Sequence, residues 1–238
     1  MSLSLIPALA HRALIPELMD DPAVDVHGLF AGLRYLERIN LLPGGAGLMA
    51  GLLLAERDRW DPRERLRLVD VGTGGADVPR ALVQMLARVG QPAQVTGVDL
   101  HARTLDYARE RCAAERRVTL VRGDALALPF ASGAVDYAVS TTFLHHLDDD
   151  QARRCLAEMR RIARRGVVVV DLERTRLAWL GIRIATMFST PVARHDGPVS
   201  VQRAFRPDEL LALARDAGLP EPRMSRHVPF RQALVSSW

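Results

Sequence analysis

The residues best suited to chemistry lie at the ends of three short apolar runs and in a few histidines. In Leu66-Arg-Leu-Val-Asp70-Val-Gly72-Thr73-Gly74-Gly75-Ala-Asp77-Val78, a run ends in an acid, a glycine-rich turn follows and a helical pattern begins. Glycines in such a turn let the backbone approach a ligand closely, and the helix N-terminus beyond favours a negative group such as a carboxylate or phosphate. Val95-Thr-Gly97-Val-Asp99-Leu100 ends in a second acid, roughly 20 residues past the glycines, where ribose hydroxyls could donate to it. Leu120-Val-Arg-Gly123-Asp124-Ala125 ends in a third, able to accept from an exocyclic amine such as adenine N6. Three acids at the ends of successive runs describe an adenosine-shaped crevice.

Dinucleotide sites share such turns, and two details separate them. The dinucleotide fingerprint puts a small residue where Asp77 stands, to pack helix on strand. A pyrophosphate is repelled by a carboxylate there, whereas an aminoacyl group can hydrogen-bond to it. Asp70 lies inside the turn, where it can organise loop amides.

Histidines supply candidate bases, since an imidazole with a pKa near ~6.5 can take the proton of an attacking hydroxyl. His145 and His146 follow the fourth apolar run, and on helical spacing one faces the reacting centre while the other points elsewhere. His195, in Arg194-His195-Asp196-Gly197-Pro198, reads as part of a polar turn where Asp196 could fix an imidazole. Structural hydrogen bonding is the alternative role for His145 and His146, and an ordinary loop residue the alternative for His195. His27 is a weaker candidate, and His11, His101 and His227 read as surface residues.

The elements that must position these residues follow from hydrophobic periodicity. Met1–Trp60 is helical in pattern, with one helix over about Ala23–Asn40, a break at Leu41–Gly45 and a second apolar helix over Ala46–Arg57. From Arg65 onward, apolar runs at Leu66–Val71, Gln94–Asp99, Val118–Arg122, Val135–Ser140 and Gly166–Asp171 alternate with helical patterns at Asp77–Val89, Ala102–Glu115 and Asp149–Ala163. That alternation predicts a parallel sheet covered on both faces. Arg223–Val228 and Phe230–Ser236, joined at Pro229, can pair only as an antiparallel hairpin. The division is a helical cap over 1–60 and a ligand-binding domain over 61–238.

Composition removes other chemistries. The 238 residues carry 32 basic side chains, every one an arginine, for a net charge of +4. Without lysine there is no Schiff base, pyridoxal phosphate anchor or Walker A clamp. The arginines are scattered beside nearly as many acids, so no basic stripe for nucleic acid is expected. Cys112 and Cys155 have no ligand-like spacing, and no metal is expected. The apolar start lacks a positively charged first segment, and the longest uncharged run, Ile39–Ala55, is broken by Pro43, Gly44 and Gly45. Neither a secretory leader nor a membrane span is expected, which makes a cytoplasmic protein the default.

VDVGTGGAD at Val69–Asp77, VTGVD at Val95–Asp99, GDALALPF at Gly123–Phe130, VDYAVSTTFLHHL at Val135–Leu147 and GVVVVDL at Gly166–Leu172 together resemble class I S-adenosylmethionine-dependent methyltransferases. The resemblance spans about Leu66 to Trp238, departing at Gly75-Ala76 where many members have a residue and then glycine. It implies a doubly wound α/β sheet in the order 3-2-1-4-5-7-6 with strand 7 antiparallel. It implies S-adenosyl-L-methionine as cofactor, with Asp70, Gly72 and Gly74 at the methionine portion, Asp99 at the ribose, and Asp124 with Ala125 at the adenine. Thr73, Asp77, Leu100 and Ser140 are counted in the same site.

In the branch acting on small molecules the insert after strand five lines the acceptor pocket, and here Leu177–Ala193 is largely apolar. A small hydrophobic acceptor is expected, phenolic, polyketide-like or lipid-tailed, methylated on oxygen in secondary metabolism. Carbon methylation of a quinone precursor stands second, and RNA or protein methylation behind it. A cofactor-binding module without turnover and a nicotinamide oxidoreductase are the other classes, the latter opposed by Asp77 and Asp124. Monomer and homodimer are left open.

Overall fold

The computed structural model describes residues 7, 9–21, 23–41 and 45–238. Its sheet has seven strands in the order 3-2-1-4-5-7-6: β1 Leu66–Val71, β2 Ala93–Asp99, β3 Val118–Arg122, β4 Val135–Thr141, β5 Ala163–Leu172, β6 Arg223–His227 and β7 Arg231–Ser237. The first five pair parallel, and β7 runs antiparallel between β5 and β6. This is the doubly wound order the motifs implied.

The period of two along each strand divides the core. Val69 and Val71 of β1 join one cluster with α5 Asp149–Ile162 and α8 Pro207–Asp216, while Leu66 and Leu68 join another with α2 Ala46–Leu54 and α3 Asp77–Arg88. α2 therefore lies in the helical layer against the sheet, where Met49 and Leu53 are fully buried. Both core clusters bury near-continuous Val and Leu, as strands covered on both faces require.

Three further helices stand over the carboxyl ends of the strands: α1 Val26–Leu41, α6 Arg176–Thr186 and α7 Pro191–Arg203. α4 Ala102–Cys112 packs on β3. The expected break at Leu41–Gly45 falls largely at residues 42–44, outside the described residues. No helix among the described residues is long and apolar enough to cross a membrane.

One expectation is corrected. Arg194–Pro198 is not a polar turn but the middle of α7. Thr190 caps that helix through the Ala193 amide and Pro191 occupies its first turn, both favourable starts. Gly197 serves packing: a Cβ there would lie 3.0 Å from Ile182 and Thr186 of α6. Close contact between the two helices outweighs the helix-breaking tendency of Gly-Pro.

Candidate functional site

β1 lies between β2 and β4, so the loops after β1 and β4 diverge and open a crevice at the carboxyl ends. There a cavity of about 540 Å³ is enclosed, within the usual range of roughly 300–1,000 Å³ for small-molecule sites. Asp70, Gly72, Thr73, Gly74, Asp77, Asp99, Leu100, Asp124, Ala125, His145 and His146 all line it. Ser140 and His195 do not. The Ser140 hydroxyl is fully buried and donates to the Val71 carbonyl, tying β4 to the end of β1. His195 is half-exposed on α7 and pairs with its neighbour Asp196 at 2.8 Å.

At one end of the cavity the glycine loop closes on itself. Gly72 holds φ +71°, and a Cβ there would meet the Phe143 ring at 2.1 Å, so only glycine fits. The loop's left-handed backbone continues at Ala76, φ +56°, the position where the family pattern departs. Asp99 accepts from the Gly74 amide at 3.0 Å and from the His101 amide at 3.0 Å, joining the loop to the end of β2. Asp70 accepts from the Thr73 hydroxyl at 2.7 Å through Oδ2, while its Oδ1 is buried without a partner. Asp77 Oδ2 is likewise buried and unpartnered. Asp124 accepts from the Leu126 amide.

Burial dominates the electrostatics of this end. It pushes the Asp70 carboxyl up to about 8 against the Thr73 hydrogen bond, and the charges of Asp77 and Asp99 add to the rise. Burial also raises Asp77 and Asp99 above the ordinary carboxylate range. Three buried carboxylates, two of them with a bare oxygen, form a site that a cation would relieve.

At the other end stand the histidines, on a 3-10 turn over Leu144–His146. Both rings face the cavity, their centroids 4.4 Å apart, so the expectation that one must point elsewhere is corrected. His145 Nδ1 lies 2.7 Å from Asp171 Oδ1 and His146 Nδ1 lies 2.9 Å from Asp20 Oδ2. Both Nε2 atoms approach Glu17, at 3.7 and 3.8 Å. Burial opposes the charged form of His146, but the Glu17 charge and the Asp20 hydrogen bond outweigh it and push its pKa to about 9. His146 is therefore a proton donor at neutral pH. Burial also works against an ionised Asp171, yet the His145 ring and the amides of Leu172 and His145 outweigh it and lower its pKa.

Glu17, Asp20, Asn40 and Arg231 also line the cavity without having been singled out by sequence, and so does Asp196, noted there only beside His195; Asp171 stands behind His145. Asp171 ends β5 as Asp70 and Asp99 end β1 and β2, so the same rule finds it. Glu17 and Asp20 sit on an irregular strap with no motif. Asp196 holds that strap, accepting from the Leu18 amide at 2.8 Å and the Met19 amide at 3.1 Å. Of the two apolar stretches, Leu177–Ala193 contributes Ile182 and Ala193 to the cavity, whereas the described part of Leu41–Ala55 packs on the sheet. The walls between the two ends are apolar, with Leu29, Leu33, Ile39, Phe143 and Leu172 among them.

Residues 68–166 match the family described as a methyltransferase domain. The chain is 34% identical over 111 residues to the demethylmenaquinone methyltransferase of Staphylococcus aureus. That match covers 47% of this chain and 44% of the relative, so the chain spans under half the length of the curated relatives it matches. Among solved structures, a SAM-dependent methyltransferase from Aquifex aeolicus superposes with a TM-score of 0.61 at 17% identity, covering 87% of this chain and 97% of that one. Human N-acetylserotonin methyltransferase in complex with SAM gives 0.62 at 15% identity, covering 88% and 56%. At these identities the structural likenesses establish the fold. Residues 68–166 thus match a methyltransferase domain, and the chain shares the fold of these S-adenosylmethionine-dependent methyltransferases.

Proposed function

We propose that this chain methylates a small hydrophobic acceptor on a hydroxyl oxygen, with S-adenosyl-L-methionine as donor. The observation that carries the reading is the polarity of one continuous cavity. Buried Asp70 and Asp77, each with one bare carboxylate oxygen, stand at its glycine-loop end, and a histidine–carboxylate cluster stands at the other.

The residues present fit the donor. Asp70 and Asp77 offer oxygens without hydrogen bonds to a cationic amino-acid end, and Gly74 leaves room beside the backbone. Asp99 faces the ribose and Asp124 with Ala125 the adenine; Thr73 and Leu100 complete this end. When bound, S-adenosylmethionine supplies a methyl group on a positively charged sulfur leaving group.

The chain's own residues align and desolvate the acceptor, the main requirements of a direct displacement. Leu29, Leu33, Ile39 and Ile182 give an apolar bed to a phenolic, polyketide-like or lipid-tailed molecule of secondary metabolism. The Glu17–His145–His146 cluster meets its hydroxyl, and the His145 Nε2 lone pair accepts the proton. α1 and the strap serve as the cap over the site, whereas α2, though within residues 1–60, packs on the sheet. The setting is cytoplasmic, and the two buried free cysteines suit a reducing compartment. Nucleic acid has no place in this reading.

A second reading has the methyl group arriving at a ring carbon beside the ionised hydroxyl. The likeness to demethylmenaquinone methyltransferase favours it. Incubation with S-adenosylmethionine labelled with carbon-13 in the methyl group, against phenols and naphthoquinols, decides between them. A methoxyl resonance supports oxygen transfer, and an aryl-methyl resonance supports the second reading. Failure of the chain to bind S-adenosylhomocysteine sinks both.

A further inference from the structure

We infer that Glu17, His145 and His146 form a site for one divalent cation of the zinc class, held by the Glu17 carboxylate and the two Nε2 atoms. The ligating atoms of the three residues all lie within 4.8 Å of one another. Glu17 Oε1 is 3.7 Å from His145 Nε2, and Glu17 Oε2 is 3.8 Å from His146 Nε2. Bonds of about 2.1 Å at a tetrahedral angle separate ligand atoms by about 3.4 Å, so each Glu17–histidine distance must shorten by a few tenths of an ångström and the widest ligand pair, within 4.8 Å, by up to about 1.4 Å.

Two independent features aim these atoms at a common point. First, each imidazole has its other nitrogen occupied by a carboxylate, His145 by Asp171 at 2.7 Å and His146 by Asp20 at 2.9 Å. A ligating histidine characteristically donates its second N–H in this way, which fixes ring orientation and makes the free nitrogen more basic. Second, Glu17 is 4% exposed and its Oε1 has no hydrogen-bond partner. The nearest cation, the Arg203 guanidinium, stops at 3.7 Å and spends its donors on the carbonyls of Ile15, His145 and His146. A buried carboxylate oxygen left bare is costly, and a cation at the cluster removes that cost.

Two imidazoles and one carboxylate suit zinc and neighbouring transition metals rather than magnesium or calcium, which prefer all-oxygen shells. Three protein ligands leave a position open, as in catalytic rather than structural zinc sites. Here that position faces the cavity.

This inference rests on the reading that the cluster meets the acceptor's hydroxyl, and it specifies how the proton is lost. Coordination of the hydroxyl oxygen lowers its pKa. The O–H bond breaks with its electron pair left on oxygen, the proton passes to solvent, and no oxidant or reductant takes part.

The test is calorimetric titration of the chelator-treated full chain with zinc chloride, alongside S-adenosylhomocysteine binding. One equivalent of zinc is expected, weakened at least 100-fold in Glu17→Gln and in His145→Gln, and about 10- to 100-fold in Asp20→Asn, which removes only the orienting carboxylate. S-adenosylhomocysteine affinity within about twofold of wild type shows each variant folded. Saturable zinc binding that survives Glu17→Gln, or no binding by the wild-type chain, overturns the site. A chain that binds S-adenosylhomocysteine and methylates a phenol without zinc keeps the methyltransferase reading and loses the cation. Zinc binding lost in the variants of a chain that ignores S-adenosylhomocysteine does the reverse.

Discussion

Asp171 holds His145 at two points: its Oδ1 lies 2.7 Å from the ring Nδ1, and its Oδ2 accepts the His145 backbone amide at 3.1 Å. The end of β5 thereby fixes both the turn after β4 and the orientation of the ring it carries. With Asp171 ionised, Nδ1 must be the donor, so the Nε2 lone pair is what His145 presents to the cavity.

Asp171→Asn tests that arrangement. The amide preserves shape but loses the charge that selects the tautomer, and turnover should fall by about 10²-fold or more. S-adenosylhomocysteine affinity should stay within about twofold, since Asp171 is remote from the glycine loop. Unchanged kcat with unchanged cofactor binding would show that the ring's tautomer does not matter.

The histidines themselves should divide. His145→Gln and His146→Gln remove groups that line the cavity, and each is expected to cost around 10²–10⁴ in turnover. His195→Gln alters a half-exposed ring outside it and should leave turnover near wild type. A large loss in His195→Gln alone would move the acceptor away from the cluster.

The two ends of the cavity were unequally legible in the sequence. Asp70, Asp99 and Asp124 each close a β-run, and a residue at the carboxyl end of a parallel strand has one place to go, so spacing alone brought them together. The apolar runs and the Arg223–Ser237 hairpin were legible for the same reason, because burial on both faces leaves an unmistakable pattern. Glu17 and Asp20 were not, because the strap that carries them has no period and is placed by Asp196, about 180 residues away. His195 drew notice through Asp196 beside it, and the two do pair at 2.8 Å, but on α7 it is Asp196 that lines the cavity while His195 stays outside. Gly197 looked like a turn residue and proved a packing contact with α6.

Asp99→Ala should weaken S-adenosylmethionine binding by about 1.5–3 kcal/mol, the usual worth of hydrogen bonds to a charged group. The loss has a second source in this fold, because the Gly74 and His101 amides also lose their acceptor. Calorimetry on the folded variant reads it, and an unchanged dissociation constant would remove Asp99 from the site.

Gly72→Val fails for two reasons that add. Its φ of +71° suits a β-branched residue badly, and its side chain would overlap the Phe143 ring. Cofactor binding should be lost while circular dichroism still reports the helices and sheet. Normal binding by this variant would refute the role given to the loop.

Asp70 makes cofactor affinity depend on pH. Its carboxyl titrates at about 8 when surrounded by protein alone, chiefly because burial penalises the charge. A cationic ligand group beside it favours the ionised form, so binding below that pH releases a proton. Affinity should therefore rise as pH increases from about 6 to 7.5, approaching tenfold per unit. Above about 8 the ligand's own α-amino group begins to lose its charge and the gain ends. The stability of the chain without ligand runs the other way. A carboxyl whose folded pKa is raised from 3.8 contributes most below that value, and the contribution is lost as pH climbs through about 8. Thermal stabilisation by S-adenosylhomocysteine should thus grow with pH over the window in which the unliganded chain weakens. Asp70→Asn, neutral at every pH, should flatten both trends. Persistence of the affinity slope in that variant would place the titrating group elsewhere.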